Sequence, residues 1–227
     1  MSTHENPFAS IEVMPPLDEC WAARRRIAQQ IQFLAEQLLT RETGLEALEK
    51  LEAQLCEAKQ TLANGIERNG RTSWIGDGTR NGGYRVMSRE ITPIAGTINA
   101  IAPPLNMWLD TETKEAHGRV NCNWCYEGPP NCVHGGIVSA IFDDFLGAAQ
   151  LITGQAGATG KLTLHYHKPT PLNTELQLVA RVKSINGRKI IMEGEMYAND
   201  VLTVSAEGLF IAIREGVMKL SERQQNP

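Results

Sequence analysis

The chain has 227 residues, of which 42% are hydrophobic and 21% are charged, a composition that favours a packed core and excludes a disordered chain. A net charge of −4 argues against nucleic acid as the main partner, because phosphate binding needs a basic surface. The start of the chain lacks the basic and apolar regions of a secretory signal, and no apolar run reaches the roughly 18–20 residues of a membrane span, so we expect a cytoplasmic protein with reduced thiols and no membrane partner.

Two apolar stripes predict two helices between residues 17 and 65. Their spacings of three and four residues place apolar side chains on one face of a helix, with charged residues opposite. Thr43 and Glu46 fit a capping box at the start of the second helix, and Asn64-Gly65 fits its end. We predict a helical hairpin at 17–65 that packs on itself, on the main domain or on a partner chain. The stripes are Ile27, Ile31, Leu34 and Leu38, then Leu45, Leu48, Leu51, Leu55 and Leu62.

The stretches around this hairpin carry no regular pattern. Residues 1–16 and 217–227 are polar, and we expect both termini to be flexible. Residues 66–104 are rich in Gly, Arg and Asn and end in Ala102-Pro103-Pro104, which breaks any regular element. This part of the sequence predicts an irregular connection.

Residues 105–216 predict a domain with one long helix and several strands. Two strands flank a turn near 110–114, and a helix opens at Gly135-Gly136 and ends near Gly154. Sequential strands with short turns pair in an antiparallel sheet, and one long helix then packs on a face of that sheet, which makes an α+β domain. The later strand segments are residues 161–168, 175–185, 189–199 and 202–214.

The long helix carries two adjacent carboxylates in different surroundings. At about 100° per residue, Asp143 projects away from the apolar face, onto a stripe of small residues that leaves room for a ligand. Asp144 falls at the edge of the apolar face. Asp143 is therefore either an active-site carboxylate or a structural one, hydrogen-bonded in an interface. The apolar face comprises Val138, Ile141, Phe142, Phe145, Ala149 and Ile152, and the small residues are Gly136, Ser139, Ala140 and Gly147.

Gly135 and Gly136 stand where this helix begins. The first N–H groups of a helix lack intrahelical partners and carry partial positive charge. Glycine allows a ligand to approach them closely. They are candidates for holding a carbonyl oxygen that gains negative charge during a reaction.

Cys122, Cys125, Cys132 and His134 have spacings that could supply zinc ligands. Aromatic residues interleave with these cysteines, however, and cysteine is also a small apolar residue that protein cores use freely. We therefore expect no metal. A nucleophile elbow, a complete phosphate loop and a zinc-protease motif are all missing from the sequence.

Two segments resemble the hotdog-fold acyl-CoA thioesterases, in the branch that includes the PaaI-like enzymes of phenylacetate degradation. They are YEGPPNCVHGGIVSAIFDD at residues 126–144 and LTLHYHKPTPL at residues 162–172. The resemblance covers roughly residues 95–215 and leaves out the helical hairpin. It implies a hotdog fold, in which an antiparallel sheet wraps around one long helix. It also implies a homodimer or a dimer of dimers with active sites at the subunit interface.

The resemblance further implies roles for individual residues in the hydrolysis of acyl-CoA, with CoA entering only as part of the substrate and no other cofactor. Asp143 would act as general base or as nucleophile, and Thr159 from the partner subunit would position the water or the carboxylate. The Gly136 N–H would hold the thioester carbonyl, and His134 would fix the loop and contact the thioester. Substrate contacts are also expected from Gly135 and Asp144.

Arg188 and Lys189 lie at a turn that resembles a basic corner for the CoA phosphates, although an ordinary solvated turn has the same composition. Two other functions stay open. One is a hotdog enoyl-CoA hydratase or dehydratase, which crotonyl-CoA hydration would reveal. The other is a non-catalytic acyl-CoA-binding or scaffold protein whose hairpin recruits a partner, which CoA binding without turnover would favour.

Overall fold

The computed structural model describes residues 15–68, 72–75, 89–110 and 112–213. The flexible ends predicted at residues 1–16 and 217–227 lie almost entirely outside the described residues. The chain divides into two compact units, which are described separately. The first comprises residues 16–92 and 96–100, and the second comprises the rest of the chain.

The second unit contains a six-stranded antiparallel sheet with the strand order β1-β2-β4-β5-β6-β3. The later strands begin and end within a few residues of their predicted positions. The strands are β1 (Asn106–Asp110), β2 (Glu115–Asn121), β3 (Gly157–Tyr166), β4 (Glu175–Asn186), β5 (Lys189–Ala198) and β6 (Val201–Ala212). Tight turns join β4 to β5 and β5 to β6, as predicted. Asn199 and Asp200 have φ angles of 48° and 64°, which suit the right-handed twist of a hairpin.

The long helix, numbered α4 below, spans Gly135–Ala149 and packs its apolar face on this sheet. A 3-10 turn at Gln150–Thr153 follows, and the segment ends at Gly154 with a φ of 75°, which glycine adopts without strain. Burying each large apolar side chain contributes about 1.5–3 kcal/mol. The predicted apolar face is confirmed, except that Leu146 joins it and Ile152 is only half-buried. The buried residues of the helix are Val138, Ile141, Phe142, Phe145, Leu146 and Ala149.

A row of small residues across three central strands makes room for α4. Ala180, Gly194 and Ala206 pair across β4, β5 and β6. A Cβ atom on Gly194 would lie only 2.9 Å from Leu146 Cδ2 and 3.3 Å from Phe142 Cε1. The helix therefore sits close to the sheet because these strands carry no bulk beneath it.

Judged by length and composition alone, the segment Gly135–Thr153 is apolar enough to cross a membrane. The core helix of a folded domain meets the same test, and here the apolar face packs against the sheet. One long helix on a six-stranded antiparallel sheet is the α+β arrangement that the sequence predicts.

The described residues of the first unit include the helices α1 (Glu19–Thr40) and α2 (Leu45–Ala63) and the short α3 (Thr72–Ile75). Asp18 caps α1, because its carboxylate accepts the Trp21 N–H at 2.9 Å. Trp21 is buried and meets the ring of Trp74 edge-on, with ring centroids 5.4 Å apart. Arg25 forms an ion pair with the buried carboxylate of Glu90.

Helix α2 differs from the prediction in two respects. Its N-cap is Gly44, with no side-chain hydrogen bond, so the capping box predicted for Thr43 and Glu46 is wrong. None of its side chains is buried among the described residues. It does end after Ala63, as Asn64-Gly65 predicts.

Candidate functional site

A tight loop precedes α4 and sets the position of His134. The Gly128 N–H donates to the Cys132 carbonyl at 2.9 Å, and the His134 N–H donates to the Tyr126 carbonyl at 2.8 Å. A Cβ atom on Gly128 would lie 2.6 Å from the His134 Cα, which no side chain tolerates. The Glu127 carboxylate also accepts the Asn131 N–H at 2.8 Å. These contacts explain why the EGPP segment accompanies the HGG segment.

The end of the second segment that carries the family resemblance, KPTPL at residues 168–172, holds the same loop from the other side. The Val133 N–H donates to the Thr170 carbonyl at 2.8 Å, and the Leu172 N–H donates to the Asn131 carbonyl at 3.1 Å. Thr170 and Leu172 are both buried. The loop before α4 is therefore fixed by chain that lies almost forty residues further on.

His134 is the N-cap of α4, and its ring has a fixed orientation. The ring atom Nδ1 accepts the Gly136 N–H at 2.9 Å. In neutral His134 the proton therefore lies on Nε2, which has no partner within the described part of the chain. His134 thus accepts the Gly136 N–H, the group that the resemblance assigns to the thioester carbonyl. The Gly135 N–H, by contrast, has no hydrogen-bond partner among the described residues.

Asp143 lies on the exposed side of α4, as its stripe of small neighbours predicts. Its Oδ1 accepts a hydrogen bond of 2.8 Å from the Thr159 hydroxyl on β3. Both residues belong to one chain, which corrects the expectation that Thr159 reaches Asp143 from a partner subunit. The second oxygen, Oδ2, has no partner among the described residues and can accept a proton from a bound water.

The sequence analysis did not predict the contact between Tyr166 and the start of α4. Its hydroxyl donates to the Gly135 carbonyl at 2.8 Å and lies 2.9 Å from the Ser139 hydroxyl, which also contacts that carbonyl. The first turn of α4 is thereby fastened to the far end of β3. Apolar and polar residues alternate in the segment LTLHYH. This pattern predicts a strand, but it does not predict which element the strand contacts.

The carboxylate and the start of α4 lie too far apart to act on one carbonyl within a single chain. Seven residues separate Gly136 from Asp143, which is about 10 Å along a helix that rises 1.5 Å per residue. A base and an oxyanion donor must both lie about 3 Å from the atoms that react. One chain therefore presents two candidate half-sites, a carboxylate with Thr159 and a helix N-terminus with His134.

The predicted basic corner lies at the same end of the sheet as Thr159. Lys189 pairs with Ile211, and Ile211 pairs with Ala158, so two strand spacings of about 4.8 Å separate the turn from the Thr159 strand. Arg188 Nε donates to the Ala212 carbonyl at 2.9 Å, and Lys189 is exposed. Asp144 is half-buried and makes contacts of its own.

The cysteines before α4 lie in different surroundings. Cys122 is buried and Cys125 is exposed, and no metal-binding group of three or more His, Cys, Asp or Glu side chains occurs among the described residues. Burial raises the pKa of the Cys122 thiol to about 12, which keeps it protonated. Cys122 therefore behaves as a core residue.

Comparisons with known proteins show what the chain is similar to. A family model described as the thioesterase superfamily matches residues 131–205. The acyl-coenzyme A thioesterase THEM4 of Xenopus laevis is 32% identical over 89 residues, which are 38% of this chain and 40% of that protein. MIOREX complex component 3 of Saccharomyces cerevisiae is 36% identical over 66 residues, which are 28% of this chain and 24% of that protein.

One solved structure is similar over nearly the whole chain. It is a crystal structure of a thioesterase superfamily protein, 30% identical, with a TM-score of 0.73. The match covers 91% of this chain and 98% of that one. The chain therefore spans less than half the length of these two curated relatives, but nearly all of this solved one.

Proposed function

Because the chain belongs to the thioesterase superfamily, we propose that it hydrolyses the thioester bond of an acyl-CoA to a free acid and CoA. The observation that carries this proposal is the Asp143 carboxylate, held by Thr159 on the exposed stripe of α4. The names of the THEM4 relatives support the acyl-CoA substrate. No group of three or more His, Cys, Asp or Glu side chains that could hold a metal occurs among the described residues.

The active site is composite and forms between two copies of the chain. The 10 Å between Asp143 and the start of α4 supports this, since the two half-sites of one chain cannot meet on one thioester. In a two-fold dimer, Asp143 and Thr159 of one copy face His134 and Gly135 of the other. Strand β3 is an edge of the sheet, and its outer side pairs with no described strand, which leaves an edge for such a dimer.

In the proposed reaction, Asp143 Oδ2 takes a proton from water as the water oxygen attacks the thioester carbon. The carbonyl oxygen gains negative charge and is held by the N-terminal turn of α4, where His134 Nε2–H and the Gly135 N–H are the available donors. The C–S bond then breaks, and the CoA sulfur takes the proton from Asp143. Thr159 keeps the carboxylate aimed at the water by holding Oδ1.

Direct attack by Asp143 on the carbonyl is the alternative chemistry. It would form an acyl anhydride with the carboxylate and release CoA before water enters. A single turnover in isotopically labelled water can reveal the anhydride. Label in the Asp143 carboxylate indicates an anhydride that water opens at the aspartyl carbon, whereas label in the product acid alone fits both a general base and an anhydride that water opens at the acyl carbon.

The rest of the substrate reaches the basic turn. The register of β3, β5 and β6 places the turn at Arg188 and Lys189 about 10 Å from the part of β3 that carries Thr159. The pantetheine chain of CoA is long enough to cover this distance. The guanidinium nitrogens of Arg188 beyond Nε and the ammonium of Lys189 would contact phosphate oxygens there.

Free-thiol release from short, long and aromatic acyl-CoAs tests the proposal. We expect wild type to cleave at least one ester and Asp143→Asn to lose at least about two orders of magnitude in kcat, as expected for removal of an acid–base group. Asp144→Asn is the matched control for a neighbouring carboxylate and should retain most of the activity. If Asp144→Asn is the inactive variant, the assignment to Asp143 is wrong.

The same panel separates the other two functions. Hydration of crotonyl-CoA without thiol release would establish a hydratase in place of the hydrolase. Binding of CoA without turnover of any ester would establish a binding or scaffold protein. Mixing Asp143→Asn with His134→Ala chains tests the composite site, because mixed dimers regain one intact site and therefore some activity.

A further inference from the structure

Helix α2 exposes large apolar side chains along its length. Leu45, Leu55 and Leu62 are 71%, 48% and 65% exposed. No side chain of the helix is buried among the described residues. In proteins, most of the stability of a helix comes from packing of its amphipathic face against another element. This face is therefore a candidate docking surface.

The face forms a groove of about 320 Å³ with the end of α1. Its floor is apolar, and its only charged groups are Glu52 and Lys59. These two lie seven residues apart, on the same flank of the leucine stripe. The opposite flank carries Ala47, Gln54 and Thr61, none of which is charged. The groove is lined by Leu38, Leu48, Leu51, Glu52, Leu55, Cys56 and Lys59.

We propose that the occupant of this groove is α2 of a second copy of the chain, packed antiparallel about a two-fold axis. In an antiparallel pair the same flanks of the two helices face each other, so Glu52 of each copy meets Lys59 of the other. In a parallel pair this flank would instead face the uncharged one. The acid and the base are therefore complementary only in the antiparallel arrangement.

The apolar stripe fits the same axis. With the axis beside Cys56, Leu55 packs against Ala58 of the second copy, and Leu51 packs against Leu62. Near the axis, the large side chain of Leu55 thus opposes the small one of Ala58, and further from the axis two leucines meet. This arrangement fills the groove without steric overlap. An identical patch on both copies is what a two-fold interface requires.

Cross-linking through Cys56 tests the proposal directly. Helices packed 8–10 Å apart bring two residues beside a two-fold axis within reach of a bismaleimide with a spacer of about 10 Å. We expect the full-length Cys20→Ser/Cys125→Ser variant, which lacks two other exposed thiols, to give a cross-linked dimer. Adding Cys56→Ser should remove that product. Leu55→Asp should remove it as well, while circular dichroism shows that the helices persist.

Charge exchange tests the antiparallel arrangement. Because the interface is two-fold, Glu52→Lys places a lysine opposite Lys59 at two positions and should slow the Cys56 cross-link about ten-fold. The exchanged variant Glu52→Lys/Lys59→Glu should restore the rate of cross-linking. Glu57→Lys makes the same charge change on the opposite side of the helix and should have no effect. Absence of the Cys56 dimer, or failure of the exchanged pair to restore it, would overturn the proposal in favour of a segment of the same chain or another protein. Thioester hydrolysis is not the readout, so the outcome is independent of the proposed activity.

Discussion

At the scale of single residues, the proposed site depends on two side chains whose proposed roles come from their hydrogen bonds. Thr159 holds one oxygen of Asp143, and the Gly136 N–H holds one nitrogen of His134. Each bond leaves a single atom of the functional group exposed: Asp143 Oδ2 in one half-site and His134 Nε2 in the other. A flexible carboxylate or imidazole would present either atom at random.

Thr159→Val should therefore lower kcat with little change in KM. The variant removes a hydrogen bond to a charged group, which contributes about 1.5–3 kcal/mol, so we expect a loss of about ten-fold or more. Thr159→Ser retains the hydroxyl and should restore most of the rate. An unchanged kcat in Thr159→Val would show that Thr159 does not position Asp143 during the reaction.

At the scale of secondary structure elements, the sheet determines how closely α4 approaches. Gly194 lies between Ala180 and Ala206 on the face that receives Phe142 and Leu146. The position of the helix in turn decides where Asp143 stands relative to β3. Bulk beneath the helix therefore disturbs both the core and the carboxylate.

Gly194→Val should destabilise the protein by about 1–3 kcal/mol, as overpacking of a filled core does. The measurement is the midpoint of urea unfolding, at an unchanged slope. Gly160→Val is the control, because a Cβ at Gly160 meets no atom closer than 3.4 Å. Equal urea midpoints for the two variants would show that the sheet and α4 move apart enough to accommodate the added side chain.

At the scale of the whole molecule, two ionisable groups in the described part of the core stay neutral, Cys122 and Tyr126. Burial raises the pKa of the Cys122 thiol to about 12 and also raises the pKa of the Tyr126 phenol above its usual range. Folding therefore favours the protonated forms. In the unfolded chain a thiol loses its proton near pH 8.5, so the stability contributed by the neutral thiol is complete below that value and is lost as the pH rises toward 12.

The free energy of unfolding should accordingly fall as the pH is raised above about 9, where the unfolded chain releases protons that the folded chain retains. Urea midpoints at pH 8 and pH 10.5 would measure this loss. Cys122→Ala removes one of the two groups and should show a shallower decline. A decline as steep in Cys122→Ala would assign the alkaline instability to other groups.

Much of the fold was predictable from local pattern, because the period of apolar residues decides between helix and strand. The long helix, its buried face and the exposed stripe around Asp143 follow from 3.6-residue periodicity. The turns at Asn186-Gly187 and Asn199-Asp200 follow from residues that tolerate positive φ. The capping box at Thr43 failed because the chain turns at Gly44 instead.

What the sequence by itself determined is therefore the elements and the residue types that each one exposes. Only the tertiary structure decided which of them meet. Thr159 lies 16 residues from Asp143, and Tyr166 lies 31 residues from Gly135, so their contacts depend on the register of β3. That register shifts at a bulge between Thr159 and Lys161, and a shift of one residue turns a side chain to the other face of a sheet. Local sequence pattern carries no information on such a shift, because it is set by the pairing of β3 with β6 and by the helix packed beside them.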